Sequence, residues 1–219
     1  MKKISSRVSL SRRSLLAAAP AMLALGLVPL GARAALPAGD SADLKRIQDY
    51  LNGIRTLQSR FEQITAEGGM ATGTIYLSRP GKMRVVYDQP VPILLVATDG
   101  RIWYYDKKLE QISFFALKDT PAWFLLQDNV SFGGDLTVSH LERDPNLLRV
   151  TVSETKNPDL GQATLVLSDH PLQLRQWHLV DAQRKAVTVT LDDPHYGVAL
   201  DPNLFYWTDP RPPEARNPD

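Results

Sequence analysis

The sequence predicts a mainly β protein whose sheet is covered by short helical segments. Two observations favour this class. Short segments rich in valine, isoleucine, tyrosine and phenylalanine follow one another, separated by turn sequences such as SRPG, DQPVP and TDG. Two apolar segments with helical features precede and interrupt this series. Successive short strands with short turns form an antiparallel meander, so the sheet must curl or be covered.

The predicted strands fall into two groups on either side of the second helical segment. The first group contains Gly73–Leu77, Lys82–Tyr87, Ile93–Ala97, Ile102–Tyr105 and Gln111–Phe115. The second group contains Leu136–Leu141, Leu148–Glu154, Ala163–Leu167, Leu172–Val180 and Ala186–Asp192. We find no repeat, low-complexity block or long linker between them, so residues 35–219 are expected to form a single domain.

The first helix is predicted from Asp43 to Gln63. Apolar residues recur there at spacings of three and four, which places them on one face of a helix. These residues are Leu44, Ile47, Leu51, Ile54, Leu57 and Phe61. Asp40 or Ser41 can cap its first turn.

The second helical segment is KDTPAWFLLQDN, between the two groups of strands. Asp119 or Thr120 can cap it, and Pro121 suits the first helical position. The four large apolar residues 123–126 cannot all face one side of a short helix. Some must face solvent, a partner or the contents of a cavity, unless the helix simply plugs the end of a barrel.

The N-terminus has the three parts of an export signal. A basic segment is followed by an apolar core and then by small residues ending in Ala32-Arg33-Ala34. The core is broken by Pro20, Gly26 and Pro29, whereas a membrane span needs about 20 uninterrupted apolar residues. We therefore expect residues 1–34 to be cleaved and the mature protein to be soluble and periplasmic. The SRRSLL sequence resembles a twin-arginine motif, but the export route stays open.

Charge and cysteine content limit the possible functions. The signal contains six of the 25 basic residues and none of the 24 acidic ones, so the remainder carries a net charge of −5. A nucleic-acid-binding protein needs a basic face, so this class is not favoured. The sequence has no cysteine. An exported protein of this kind depends on its apolar core for stability, and no lipid can be attached to a cysteine at its N-terminus.

No catalytic or metal-binding pattern emerges from the sequence. The four histidines lack an HExxH spacing, and no serine lies in a GxSxG motif. His195 beside Asp192 and Asp193 is the best metal candidate, although DDPH is more typical of a turn. EGGMATG lacks the order of a phosphate-binding loop. We predict no enzyme activity, no metal and no cofactor.

Four segments, in order and spacing, resemble the LolA family of periplasmic lipoprotein carriers. They are LQSRFEQITAEGGMATGTIYLSRPGKMRVVYDQP, LLVATDGRIWYYDKKLEQ, TPAWFLL and LDPNLFYWTDP. The more specific pieces are Phe61-Glu62-Gln63, Arg79-Pro80 after a strand, and Asp99-Gly100 before an aromatic strand. The resemblance covers nearly the whole mature chain.

The resemblance implies an incomplete, half-open antiparallel β-barrel that encloses a hydrophobic cavity under an α-helical lid. Members of the family collect triacylated lipoproteins from an ABC-type release complex in the inner membrane and deliver them to an outer-membrane receptor. The expected partners of this chain are therefore lipoproteins, that complex and that receptor, and the carrier is expected to be a monomer.

By the same resemblance, Arg79 matches the arginine that locks the lid of the family. Elementary chemistry supports that assignment, since a guanidinium has five donors and can bridge the unpaired carbonyls at the end of a helix. The alternative is a surface turn arginine paired with Asp88 or Glu110.

The remaining predicted site residues line the cavity or meet the release complex. From the large apolar residues on the strands and the second helical segment, we expect the cavity to be lined by Ile75, Leu77, Val85, Leu94, Val96, Trp103, Tyr105, Phe114, Trp123 and Phe124. The turn with Pro80, Lys82 and Met83 is expected to dock on the release complex, with Met83 where other members often have an aromatic residue. The tail RPPEARNPD lacks an obvious further strand.

Three alternative functions belong to other classes. The outer-membrane receptor shares the implied fold but is lipidated through an N-terminal cysteine, which this sequence lacks. A sensor of envelope stress would need a second domain. A hydrolase would need a site that sequence spacing does not reveal.

Overall fold

The computed structural model describes residues 38–121 and 123–211. The predicted export signal, residues 1–34, lies outside the described residues, and so do residues 212–219 of the tail. Among the described residues, no helix is long and apolar enough to cross a membrane.

In the described part of the chain, eleven strands form one antiparallel sheet. They are β1 Thr56–Thr65, β2 Met70–Ser78, β3 Lys82–Tyr87, β4 Ile93–Thr98, β5 Arg101–Asp106, β6 Gln111–Ala116, β7 Leu136–Asp144, β8 Leu147–Glu154, β9 Gly161–Asp169, β10 Leu172–Asp181 and β11 Ala186–Tyr196. Because β1 pairs with β11, the strand order is β6-β5-β4-β3-β2-β1-β11-β10-β9-β8-β7. The described edge strands β6 and β7 do not pair with each other, so the sheet is an open half-barrel. The predicted fold class is confirmed.

The helix α1 spans Ala38–Gly53, so the predicted helix is correct in its first part and wrong after Gly53. Its start at Ala38 places Asp40 inside the first turn instead of at a cap. The misassigned residues belong to β1, where Leu57, Ser59 and Phe61 are buried at alternate positions. Leu57 and Phe61 are four residues apart, and that spacing fits one face of a helix as well as one face of a strand.

The helix α1 packs its apolar face against the inner, concave face of the sheet. Ile47 and Leu51 are almost completely buried in the same core as the inward side chains of β8 and β9. The backbone N–H of Leu174 on β10 donates to the Tyr50 hydroxyl at 2.9 Å, and the hydroxyl of Tyr196 donates to the Leu174 carbonyl at 2.8 Å. The first bond attaches the helix to an irregular point of β10, where the register shifts between Leu174 and Gln176, and the second joins β11 to the same residue.

The segment between β6 and β7 crosses the inner face, and we call its described residues, 117–121 and 123–135, the β6–β7 connection. It contains two 3₁₀ turns, Leu117–Asp119 and Trp123–Leu126, where a helix was predicted. Phe124 and Leu126 are buried, while Trp123 and Leu125 are half-buried against the core. The four consecutive apolar residues are thus shared between close packing and the surface of a cavity.

The last described residues, 197–211, form a C-terminal segment that packs on the outer face of the sheet. Its 3₁₀ turn Pro202–Phe205 contacts β3 and β4, and Phe205 is 3% exposed. The ring of Trp207 stacks on Trp103 of β5, with centroids 5.0 Å apart and planes at 6°. Leu94, Val96 and Tyr105 form a small second core beneath this segment.

Candidate functional site

The candidate site is an apolar cavity of about 150 Å³ between the inner face of the sheet and the β6–β7 connection. Its wall is formed by strands β1 to β5, by strands β10 and β11, and by both 3₁₀ turns. The lining residues are Phe61, Gln63, Ile75, Leu77, Met83, Val85, Tyr87, Leu95, Ile102, Leu117, Thr120, Leu125, Leu126, Trp177, Leu179, Val187 and Val189. None of these described residues carries a charge at neutral pH.

The cavity contains three of the ten residues predicted to line it, Ile75, Leu77 and Val85. The prediction is corrected for five others, which lie on the outer face: Leu94, Val96, Trp103, Tyr105 and Phe114. Trp123 and Phe124 belong to the covering connection and pack against the core without lining the cavity.

The error in those five positions has a simple cause in strand parity. On β4 and β5 both faces are apolar, so composition does not reveal which face points inward. The register does reveal it, since Ile75 pairs with Val85 and Val85 pairs with Leu95. Side chains opposite each other in a sheet share a face, so Leu95 is inward and its neighbours Leu94 and Val96 are outward.

Sequence reasoning also missed the part of the cavity wall that β10 and β11 contribute. Trp177 and Leu179 on β10 and Val187 and Val189 on β11 face the cavity because β11 pairs with β1. The alternate spacing of these apolar residues in the sequence indicates that they share one face of a strand. It does not reveal that β1 pairs with β11, which brings that face to the cavity.

Arg79 follows β2 directly and is 9% exposed. Its Nη1 donates to the carbonyls of Leu51 and Ile54, the latter at 3.3 Å. Its Nε donates to the carbonyl of Gln127 at 2.5 Å, and its Nη2 to that of Asp128 at 3.3 Å. One side chain therefore joins the carboxyl end of α1 to the β6–β7 connection.

Burial lowers the pKa of the Arg79 guanidinium from its usual value, and nearby Arg55 adds to the shift while Asp128 opposes it. An arginine in a protein nevertheless stays charged. Arg55 is itself paired with Asp128, with 2.6 Å between Nη1 and Oδ1. The positive charge of Arg79 is met chiefly by backbone carbonyls, which at the end of a helix have no partner within it and carry the negative end of the dipole.

Other hydrogen bonds also join the β6–β7 connection to α1 and to the β2–β3 turn. Asn52 on α1 donates to the carbonyl of Val130 at 3.0 Å and accepts from its N–H at 2.7 Å. Gln48 accepts from the N–H of Phe132 at 2.7 Å. The N–H of Gly81, two residues after Arg79, donates to the carbonyl of Leu126 at 2.7 Å. The β6–β7 connection, which covers the cavity, is thus held by α1 at Val130 and Phe132 and by the β2–β3 turn at Leu126.

The predicted docking residues lie in the β2–β3 turn and at the start of β3. Pro80 and Lys82 are exposed, as expected for a contact surface. Met83 differs from expectation, since it is half-buried in the cavity wall. The strand β3 already begins at Lys82, so Met83 has the same parity as Val85 and points inward. The docking role of the turn stays a prediction.

A polar pair interrupts the apolar wall. The hydroxyl of Tyr87 donates to Oε1 of Gln63 at 2.8 Å. Burial raises the pKa of the Tyr87 hydroxyl, an effect that the hydrogen bond to Gln63 reduces. The hydroxyl is therefore a neutral donor at physiological pH.

The described residues contain no group of three or more histidine, aspartate or glutamate side chains that could hold a metal ion. The predicted best candidate, His195, lies 3.7 Å from Asp193, and both side chains are well exposed. The DDPH sequence was expected to form a turn, but it lies within β11. Asp193 has a positive φ of 50° and lies where the pairing of β11 with β1 shifts register.

An open half-barrel with a partly enclosed apolar cavity offers a surface suited to apolar ligands. Residues 52–208 match the family model described as outer membrane lipoprotein carrier protein LolA. The match spans more than half of the chain, and the chain belongs to this family. The resemblance drawn from the four sequence segments is thereby confirmed.

Several relatives are named outer-membrane lipoprotein carrier protein. That of Methylococcus capsulatus is 26% identical over 200 residues, covering 87% of this chain and 95% of the relative. That of Pseudomonas aeruginosa is 30% identical over 177 residues, covering 77% and 84%. Among solved structures, a LolA superfamily protein of Nitrosomonas europaea is 8% identical with a TM-score of 0.43, covering 74% of this chain and 97% of that one.

Proposed function

We propose that the protein is a periplasmic carrier that encloses the acyl chains of lipoproteins and delivers them to the outer membrane. The observation that carries the proposal is the apolar cavity beneath the β6–β7 connection, in a chain of the LolA family. Burying an acyl chain is favourable by about 0.8 kcal/mol per methylene. Several acyl chains therefore need an apolar enclosure to cross an aqueous compartment.

The volume of the cavity requires the cover to move during loading. An apolar cavity of about 150 Å³ accommodates a molecule of about the size of benzene. A long acyl chain is much larger. The β6–β7 connection lies over the cavity and its residues Leu125 and Leu126 form part of the wall. Displacing this connection enlarges the cavity and exposes the inner face of the sheet.

Arg79 acts in this proposal as a latch on the β6–β7 connection. Its bonds to Gln127 and Asp128 hold the closed arrangement, and an incoming acyl chain competes with that arrangement for the inner face. The two states must differ by a few kcal/mol for one ligand to shift the balance. Closure after unloading removes apolar surface from water, which favours release.

The delivery route follows the family. The carrier accepts lipoproteins from an inner-membrane ABC-type release complex and passes them to an outer-membrane receptor, while the exposed residues Pro80 and Lys82 of the β2–β3 turn make contact with the complex. Met83, at the cavity wall beside this turn, links the contact surface to the binding surface.

A pair of variants on one strand tests acyl binding in this cavity. Leu179 on β10 lines the cavity, whereas the neighbouring His178 faces outward and bonds Thr188. Tryptophan at position 179 reduces the space for a ligand, so Leu179→Trp should weaken binding of a triacylated lipopeptide by at least about tenfold, or about 1.4 kcal/mol. The matched control His178→Trp should bind like the wild type. Fluorescence titration of the purified mature proteins measures both.

Two results would count against the carrier function. One is a wild-type protein that binds neither the lipopeptide nor a fluorescent fatty-acyl probe. The other is an equal loss of affinity in both variants, since this would place the ligand elsewhere.

A further inference from the structure

The polar pair of Gln63 and Tyr87 is unusual in a wall that is otherwise mostly apolar. Among the described lining residues, only Gln63, Tyr87 and Thr120 carry a hydroxyl or amide side chain. Thr120 donates its hydroxyl to the carbonyl of Leu117 at 2.8 Å. Gln63 accepts from Tyr87 through Oε1. None of the described residues accepts a hydrogen bond from Nε2 of Gln63, so its amide nitrogen retains donor capacity at the cavity.

The local packing fixes the direction of this pair. Gly73 on β2 lies between Phe61 on β1 and Tyr87 on β3, in register with both. A Cβ atom at Gly73 would lie 2.7 Å from the ring of Phe61 and 2.3 Å from the carbonyl oxygen of Val86. The missing side chain lets the Phe61 ring lie over the backbone and meet the edge of Tyr87, with centroids 5.3 Å apart and planes at 89°. Tyr87 is thereby held where its hydroxyl reaches Gln63.

The pair also has a defined position along the cavity. Gln63 pairs with Ala71 near the start of β2, whereas Arg79 follows the end of the same strand. Ser78 lies seven residue steps along the strand from Ala71, a distance of about 23 Å. The polar pair and the proposed latch therefore lie at opposite ends of the inner face.

Resting on the proposed carrier function, we propose that Gln63 and Tyr87 form a polar subsite that binds an acyl carbonyl of the ligand. Nε2 of Gln63 donates to the oxygen of an ester or amide carbonyl, and Tyr87 orients the amide through Oε1. The hydrocarbon chain extends from this point along the apolar wall towards the Arg79 end. The depth at which the acyl chain sits is then set by one hydrogen bond.

The surroundings select a neutral acceptor over a charged one. The described wall residues include no lysine or arginine, so a carboxylate at this place would be desolvated without a counter-charge. A carbonyl oxygen of an ester or amide loses less hydration and still accepts the hydrogen bond. The subsite should therefore prefer acyl esters and amides to free fatty acids.

The test compares Gln63→Leu with Gln58→Leu, a control on the same strand that is exposed to solvent. Three probes are titrated by fluorescence: a diacylglyceryl lipopeptide, free palmitate and a pyrene-labelled alkane without a carbonyl. We expect Gln63→Leu to bind the lipopeptide about tenfold more weakly and the alkane at least as well as the wild type. The wild type should bind palmitate more weakly than the lipopeptide, and Gln58→Leu should behave like the wild type.

A spectroscopic readout addresses the hydrogen bond itself. With a ¹³C label in the acyl carbonyls of the lipopeptide, infrared absorption of the wild-type complex should show a carbonyl band at lower wavenumber than that of the Gln63→Leu complex. Equal loss of affinity for the lipopeptide and the alkane, or identical carbonyl bands, would overturn the subsite and leave the carrier function standing. A wild-type protein that binds neither probe would overturn both.

Discussion

Strands β3 to β5 are covered on both faces, and the two covers are attached differently. On the inner face, the β6–β7 connection is held by hydrogen bonds from Arg79 and from the N–H of Gly81, and it leaves a cavity of about 150 Å³. On the outer face, the C-terminal segment packs through Phe205 and the stacked rings of Trp103 and Trp207.

An arginine contacts each of the two covers. Arg79 donates to four backbone carbonyls, two on either side of the junction between α1 and the β6–β7 connection. Arg84 on β3 donates to a single carbonyl of the C-terminal segment, that of Leu204, at 3.2 Å. Separating packed apolar groups returns their area to water, whereas the groups that Arg79 joins can form hydrogen bonds with water when they separate. The inner cover also buries apolar side chains, since Phe124 and Leu126 are 1% and 3% exposed, but it combines this packing with several hydrogen bonds and lies over a cavity. We therefore propose that the inner cover opens while the outer cover stays attached.

The largest effect is expected from breaking the outer cover. Phe205→Ala removes a buried ring from the C-terminal segment, and we expect the free energy of unfolding to fall by about 3 kcal/mol. Urea unfolding measures the change, with Tyr206→Ala as control. Tyr206 is 68% exposed, so its loss should change stability by less than about 0.5 kcal/mol.

Phe205→Ala also tests whether the outer face of the sheet influences ligand binding on the inner face. Folded Phe205→Ala protein should bind the triacylated lipopeptide with unchanged affinity, because the cavity wall is untouched. A loss of binding as large as that of Leu179→Trp would show that the outer cover shapes the cavity, and the contrast between the covers would fail.

A smaller and asymmetric effect is expected from Arg79→Leu. Hydrogen bonds made by a charged group contribute about 1.5 to 3 kcal/mol each, so the balance between closed and open covers should shift by at least about tenfold. Uptake of lipoprotein should persist, since the wall and the entrance are unchanged. Onward transfer should slow by at least about tenfold, because the loaded form is favoured when the cover cannot close.

A two-step assay separates these outcomes. It scores transfer from inner-membrane vesicles to the carrier, and then from the carrier to the outer-membrane receptor. Arg79→Lys should restore only part of the second step, since an ammonium lacks the planar fork that spans several carbonyls. Onward transfer by Arg79→Leu at the wild-type rate would reduce Arg79 to a structural turn residue.

The smallest effect concerns an exposed ion pair that belongs to neither cover. Hydrogen bonds from Arg60 and Thr72 lower the pKa of the Asp88 carboxyl to about 2, against about 3.9 in an unfolded chain. A lowered pKa in the folded state stabilises the protein above the unfolded value, and this contribution disappears as the pH falls from about 4 to about 2.

Urea unfolding of the wild type and Asp88→Asn between pH 5 and pH 2 measures that contribution. The stability of the wild type should decrease more steeply with falling pH than that of the variant, by a small margin because the pair is exposed. Parallel curves would mean that Asp88 titrates alike in the folded and unfolded chains.

The strands were the most predictable part of the fold, and the reason lies in their turns. All ten predicted strands correspond to β2 to β11, and most of them begin or end next to proline, glycine or aspartate. The strand β1 was missed because the helical spacing of α1 continues through Leu57 and Phe61. The 3₁₀ turn at Trp123 was predicted as a longer helix from Pro121 and the apolar run, which do not distinguish the two.

The sequence by itself determined the antiparallel meander, the family and the position of Arg79 in a turn after an apolar strand. These are local properties, carried by residue type and spacing. Only the tertiary structure decided which face of β4 and β5 lines the cavity, because both faces are apolar and the C-terminal segment covers one of them. It also decided that Gln63 and Tyr87 meet beside Gly73. Contacts of this kind depend on the register between strands, and register is set by pairing across the whole sheet.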